Sequence, residues 1–131
     1  MSTLSPAVSF SDADLLAWLA RADDAALDDL PFGVIGLDIA GQVQRYNRFE
    51  SRLAGLSADR VLGRHLFTAV APCMNNALVA GRFERARVQD AVLDELLPYA
   101  LTLRMRPVKV MLRLLADPAA PTRYVLVRRP D

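Results

Sequence analysis

Apolar residues fall into blocks with alternating helical and strand-like spacing. Leu15, Leu16, Trp18 and Leu19 follow Ser11-Asp12, which predicts a capped amphipathic helix over 11–21. A second short helix is expected at 23–27, stopped by Pro31. Residues 32–38 read as a strand, Asp38-Ile39-Ala40-Gly41 as a turn, and 42–46 as the returning strand. Short helices fit 47–52 and 58–62, with Gly55 and Gly63 as stops. A longer helix is expected over 75–89, with Leu78, Val79, Arg82, Phe83 and Ala86 on one side. Strands at about 94–105, 107–116 and 122–129 close the chain, the last two joined by a turn at 117–121.

Two strands, small helices, one long helix and three strands imply an α+β fold. The expected form is a five-stranded antiparallel sheet flanked by helices, in the order found in PAS domains. The whole chain, 1–131, is read as one PAS domain, with an N-terminal helical cap at 1–28 and a core at 29–131. A hydrophobic share of 53% suits a packed globule that needs no metal or disulfide staple. Sixteen Lys plus Arg against fifteen Asp plus Glu give no general pull towards nucleic acid. No apolar run is long enough to cross a membrane, the first residues lack a secretion signal, and a lone cysteine suits a reducing compartment. The expectation is a cytoplasmic protein with neither nucleic acid nor membrane as partner. Charge is uneven: six aspartates (12, 14, 23, 24, 28, 29) lie in the first thirty residues, and arginines gather after position 104. An acidic segment lying over a basic sheet and two separately solvated faces are both open readings.

The candidate chemistry gathers around Cys73, the only cysteine, in Val70-Ala71-Pro72-Cys73. Upstream lies Tyr46-Asn47-Arg48-Phe49-Glu50. If these residues share one helical turn, Tyr46 and Glu50 lie four apart on one face and can converge on one ligand atom. A thiol, a phenol and a carboxyl are groups that can hold and tune a covalently attached aromatic acid. The plain alternatives are a small buried apolar cysteine and an ordinary surface pair. Asn47 is expected to cap the following helix. No metal cluster, phosphate loop or catalytic triad is visible. His65, the only histidine, leaves haem ligation or a base for Cys73 as remote readings.

These segments together resemble the photoactive yellow protein family. The resemblance begins at Leu27-Asp28-Asp29-Leu30-Pro31-Phe32-Gly33 and runs through Tyr46-Asn47-x-x-Glu50, Val61-Leu62-Gly63-Arg64-His65-Leu66-Phe67 and Val70-Ala71-Pro72-Cys73. It continues through Gly81-Arg82-Phe83, Tyr99, Met105-Arg106-Pro107 and Tyr124-Val125-Leu126-Val127-Arg128-Arg129. It implies a blue-light receptor rather than an enzyme, with p-coumaric acid (4-hydroxycinnamic acid) held as a thioester on Cys73. It implies that Tyr46 and a protonated Glu50 donate hydrogen bonds to the phenolate, and that the Cys73 amide binds the thioester carbonyl. Met105 would aid thermal re-isomerisation, Tyr99 would line the entrance, and Phe49 would narrow the pocket. Illumination would isomerise the double bond and draw the Glu50 proton. The carboxylate left behind would drive release of the N-terminal cap towards an unknown downstream signalling protein.

The chain departs from the family at Ala54, Leu56, Phe49, Met74 and Leu101, where threonine, arginine, a small residue, threonine and an aromatic are usual. Altered tuning follows from these changes, since the anchor and both donors remain. The competing reading is a chromophore-free PAS sensor or homodimerisation module.

Overall fold

The computed structural model describes residues 8–102 and 106–130. Five antiparallel strands make one sheet: β1 (Gly33–Leu37), β2 (Val43–Tyr46), β3 (Leu93–Leu101), β4 (Val108–Ala116) and β5 (Arg123–Arg128), in the order β2-β1-β5-β4-β3. β1 and β5 are buried along nearly their whole length, so neither shows the in–out alternation of a half-exposed strand. The sheet is covered on both faces. β3 is an edge strand and carries Pro98, which cannot donate to a ladder.

On one face α3 (Arg48–Ala54) packs beside β1, and α4 (Ala58–Val61) and α5 (Ala80–Gln89) pack over a large apolar cluster. Tyr46, Val61, Leu66, Phe67, Met74, Phe83 and Leu101 belong to it. The other face carries α1 (Leu15–Arg21) and α2 (Asp24–Asp28). There Phe10, Leu15, Leu19, Leu27 and Phe32 pack against Val34, Leu115, Tyr124 and Leu126.

Three element starts differ from the sequence reading. α1 begins at Leu15 because Ser9 and Asp12 close a separate turn, the Ser9 amide donating to Asp12 Oδ2 at 3.0 Å. α5 begins at Ala80 rather than 75. The Asn76 side chain accepts from the Leu78 and Val79 amides, holding a local turn in competition with the helix, and Leu78 stays exposed. β3 runs from Leu93 to Leu101 against an expected strand over about 94–105, of which residues 103–105 lie outside the described residues.

The N-terminal segment is gripped by its backbone more than by its aspartates. Arg45 of β2 donates to the carbonyls of Leu19 and Ala22 at the end of α1, and meets Asp24, a highly exposed residue, at 3.3 Å. Arg113 of β4, buried, donates to the Phe10 and Asp12 carbonyls at 2.9 and 2.7 Å. The same guanidinium makes a two-point contact with Asp94. Arg128 lies 5.2 Å over the Phe10 ring. The segment does lie over a basic sheet, but the arginines satisfy helix-end and loop carbonyls that would otherwise be orphaned.

Candidate functional site

Glu50 is the centre of the site. Asn47 caps α3 and accepts the Glu50 amide at 3.1 Å, which places Glu50 in the first turn. Gly55, at φ 75°, ends the helix in the left-handed conformation that glycine adopts without strain. Tyr46 is the last residue of β2, not part of the helix, so the two functional groups meet across a strand–helix junction. The one-turn geometry expected from their spacing is therefore corrected. The Glu50 charge still acts on the Tyr46 phenol across that junction.

Glu50 is 1% exposed. Its Oε2 accepts from Arg129 Nη2 at 2.9 Å. Its Oε1 is buried and has no hydrogen-bond partner among the described residues. A Cβ at Gly33 would stand 2.2 Å from that oxygen, so β1 needs glycine there to admit the carboxyl. Burial pushes the Glu50 carboxyl up to about 7, against the pull of Arg129. Burial, then the neighbouring Glu50 charge, raises the Tyr46 phenol above its ordinary value, so Tyr46 is a neutral donor at physiological pH.

The Glu50 shift has a stability consequence of definite sign. An unfolded carboxyl titrates near 4.5 and the folded one near 7. Between these values the folded chain holds more protons, so stability falls as pH rises through that window. The contribution, on the order of 3 kcal/mol, is fully present below the unfolded value. Urea midpoints should fall from pH 4.5 to 7, and Glu50→Gln should flatten that slope. An unchanged slope in the variant would show that another group carries it.

Cys73 lies on a single 3-10 turn, Pro72–Met74, half-buried and packed against the same apolar cluster that contains Tyr46. Tyr99 and Asn76 both donate to the Cys73 carbonyl, and Asn76 donates on to the Tyr99 hydroxyl at 2.6 Å. Tyr99 thus fixes the turn that carries the thiol. Met74 and Leu101 are buried between these elements. Leu56 and Val70 pack on the cluster's rim and help line a groove of about 350 Å3 with Arg60, Val61, Arg64 and Ala69. Phe49 is half-buried and belongs to neither apolar cluster. Met105 lies outside the described residues. His65 Nδ1 accepts from the Phe67 amide at 3.2 Å and caps the wide turn Leu66–Val70. That gives the histidine a structural task.

Asn47 is placed as expected and does more than cap. Its Oδ1 also accepts from the Val34 amide, and its Nδ2 donates to the Leu27 and Phe32 carbonyls. One buried amide therefore joins α3, β1 and the end of the N-terminal segment. Sequence reasoning gave no role to Arg129 or Gly33. Both stand inside quoted motifs, but the Glu50 contact to Arg129 closes over 79 residues.

The chemistry available is a buried acid near neutrality, with one oxygen on a cation and the other unclaimed. Beside it lie a neutral phenol and an apolar cluster bordered by a thiol. An anionic aromatic oxygen suits the unclaimed donor capacity, and an acyl group suits the thiol. Among the described residues no group of three or more metal-ligating side chains occurs, and no helix is long and apolar enough to cross a membrane.

The PAS fold family matches residues 22–108. The photoactive yellow protein of Rhodothalassium salexigens is 32% identical over 93% of this chain and 97% of its own length. That of Halochromatium salexigens is 31% identical over the same shares. Among solved structures, the photoactive yellow protein domain of the sensor histidine kinase Ppr from Rhodospirillum centenum superposes with a TM-score of 0.76. It is 37% identical, covering 82% of this chain and 94% of that domain.

Proposed function

This chain belongs to the photoactive yellow protein family within the PAS fold, and from that premise we propose that it is a blue-light receptor carrying p-coumaric acid as a thioester on Cys73. The observation that carries the reading is the buried, unclaimed Oε1 of Glu50, in a domain whose one thiol packs on the apolar cluster that contains Tyr46. When bound, the acid supplies a phenol and a conjugated double bond that absorbs blue light and isomerises. Tyr46 and Glu50 are donors for the phenolate oxygen, and two charge-assisted bonds hold a buried anion that would otherwise be costly. Tyr99 and Asn76 hold the Cys73 turn so that its thiol stays at the cluster.

After illumination Glu50 would pass its proton to the phenolate oxygen, leaving a carboxylate on Glu50 and a neutral phenol on the pigment. The charge that then appears sits three residues from Asn47, whose amide holds the Leu27 and Phe32 carbonyls. A shift of the α3 start therefore loosens the N-terminal segment, and its release is the signal offered to a partner. The chain acts as a receptor rather than an enzyme.

The test is colour. Glu50→Gln replaces the acid by a weaker donor, so the ground-state phenolate is held less tightly and absorption moves to longer wavelength. The adduct itself should persist. A reconstituted variant with the parent spectrum would remove Glu50 from the network.

A further inference from the structure

We propose that Arg129 is a built-in counter-ion for Glu50, poised to keep the carboxylate when Glu50 gives up its proton. This inference rests on the light-receptor reading for its use, but the contact itself is a property of the chain. The proton leaves the Glu50 carboxyl, one negative charge moves onto Glu50, and Arg129 stays cationic throughout. Proton release then leaves a carboxylate paired with Arg129 at Oε2 but still unpartnered at Oε1, so the new charge is only partly offset.

The geometry separates this contact from a structural ion pair. The same chain holds such a pair for comparison: Arg113 grips Asp94 through two bonds of 2.9 Å, Nε to Oδ1 and Nη2 to Oδ2. Arg129 makes one bond to Glu50, through Nη2 to Oε2. Arg129 Nε and Glu50 Oε1 are both buried and unpartnered among the described residues. A buried pair kept for stability is expected to fill these positions, because each unfilled one carries a desolvation cost. Here the carboxyl is divided, with Oε2 on the cation and Oε1 left without a partner against Gly33 of β1.

Both partners are shielded from screening by salt, with side-chain exposures of 10% for Arg129 and 2% for Glu50. Arg129 follows the last residue of β5, so its backbone is tied to the sheet. Among the described residues, the charge that acts on Glu50 is that of Arg129 after β5, and the Glu50 charge acts in turn on the Tyr46 phenol at the end of β2. β1 presents only Gly33. With a neutral phenol on one side, Arg129 is the group that sets the ionisation of Glu50 from outside its own helix.

The experiment follows the carboxyl C=O stretch of Glu50 by infrared difference titration in the pigment-free chain, assigned by its loss in Glu50→Gln. Arg129→Gln should raise the midpoint by about one pH unit or more, a tenfold gain in proton affinity. Arg129→Lys, which keeps the charge, should stay within about half a unit of the parent. A midpoint unmoved in Arg129→Gln overturns the proposal, and so does an equal rise in both variants, since charge would not be the acting property. If Arg129→Gln does not fold, the parent titrated from low to high salt decides. A midpoint stable to within a few tenths supports a buried pair, and a large rise overturns it. No pigment is present in these titrations, so a failure of covalent loading would count against the receptor reading and leave this result intact.

Discussion

Asn47→Ala should destabilise the fold by about 3–5 kcal/mol, a large part of the roughly 5–15 kcal/mol typical of a domain. The amide of Asn47 uses its two donors and two acceptor sites on the backbone groups of Leu27, Phe32, Val34 and Glu50. Asn47 itself is 2% exposed, so water cannot replace those bonds without opening the structure. Helix capping alone accounts for about 1 kcal/mol of the loss. The rest comes from stranding carbonyls of the N-terminal segment and an amide of β1. Asn47→Ser should recover the capping share only. In urea the midpoint should fall with little change of slope, and amide exchange should speed up first in α1 and α2. A loss below about 1 kcal/mol would mean that the N-terminal segment is held by Arg45, Arg113 and Arg128 without help from Asn47.

Cys73→Ala should abolish covalent uptake of activated p-coumaric acid while leaving the fold nearly as stable as before. Cys73 is the chain's only thiol, so no second nucleophile of its kind can substitute. Its side chain is half-buried at the edge of the cluster, and the turn that carries it is fixed through its carbonyl by Tyr99 and Asn76. Removing sulfur therefore costs little packing, about 1 kcal/mol or less. The mass of the parent after incubation should rise by one acyl group and that of the variant should not. Tyr99→Phe removes one of the two bonds to the Cys73 carbonyl and should slow uptake without preventing it.

The sheet was legible because β1 and β5 are continuous apolar runs and β4 is a long one, each bounded by Gly, Pro or Asp. α2 was legible from the short run before Pro31, but its start lies one residue later than expected, because Asp23 is its cap, its side chain accepting from the Ala26 amide. The start of α5 was not, since Asn76 captures the two amides that a helix beginning at 75 would have used. The functional site was legible as residue types in order, and less so as geometry. Four-residue spacing suggests one helical turn for Tyr46 and Glu50, but Asn47 breaks the strand into a helix between them. Arg129 was out of reach for a different reason. Its partner lies 79 residues away, and only the antiparallel pairing of β1 with β5 brings the end of β5 to α3. The role of Gly33 depends on that same closure, because glycine there matters only once the Glu50 carboxyl is pressed against β1.

The central claim is that Tyr46 and Glu50 hold a phenolate tethered to Cys73, and its most direct test is the colour of the reconstituted chain as a function of pH. The bound phenol should remain ionised at pH 7 and below, well under the roughly 10 of an unperturbed phenol. An adduct whose colour titrates near that free value would contradict the account.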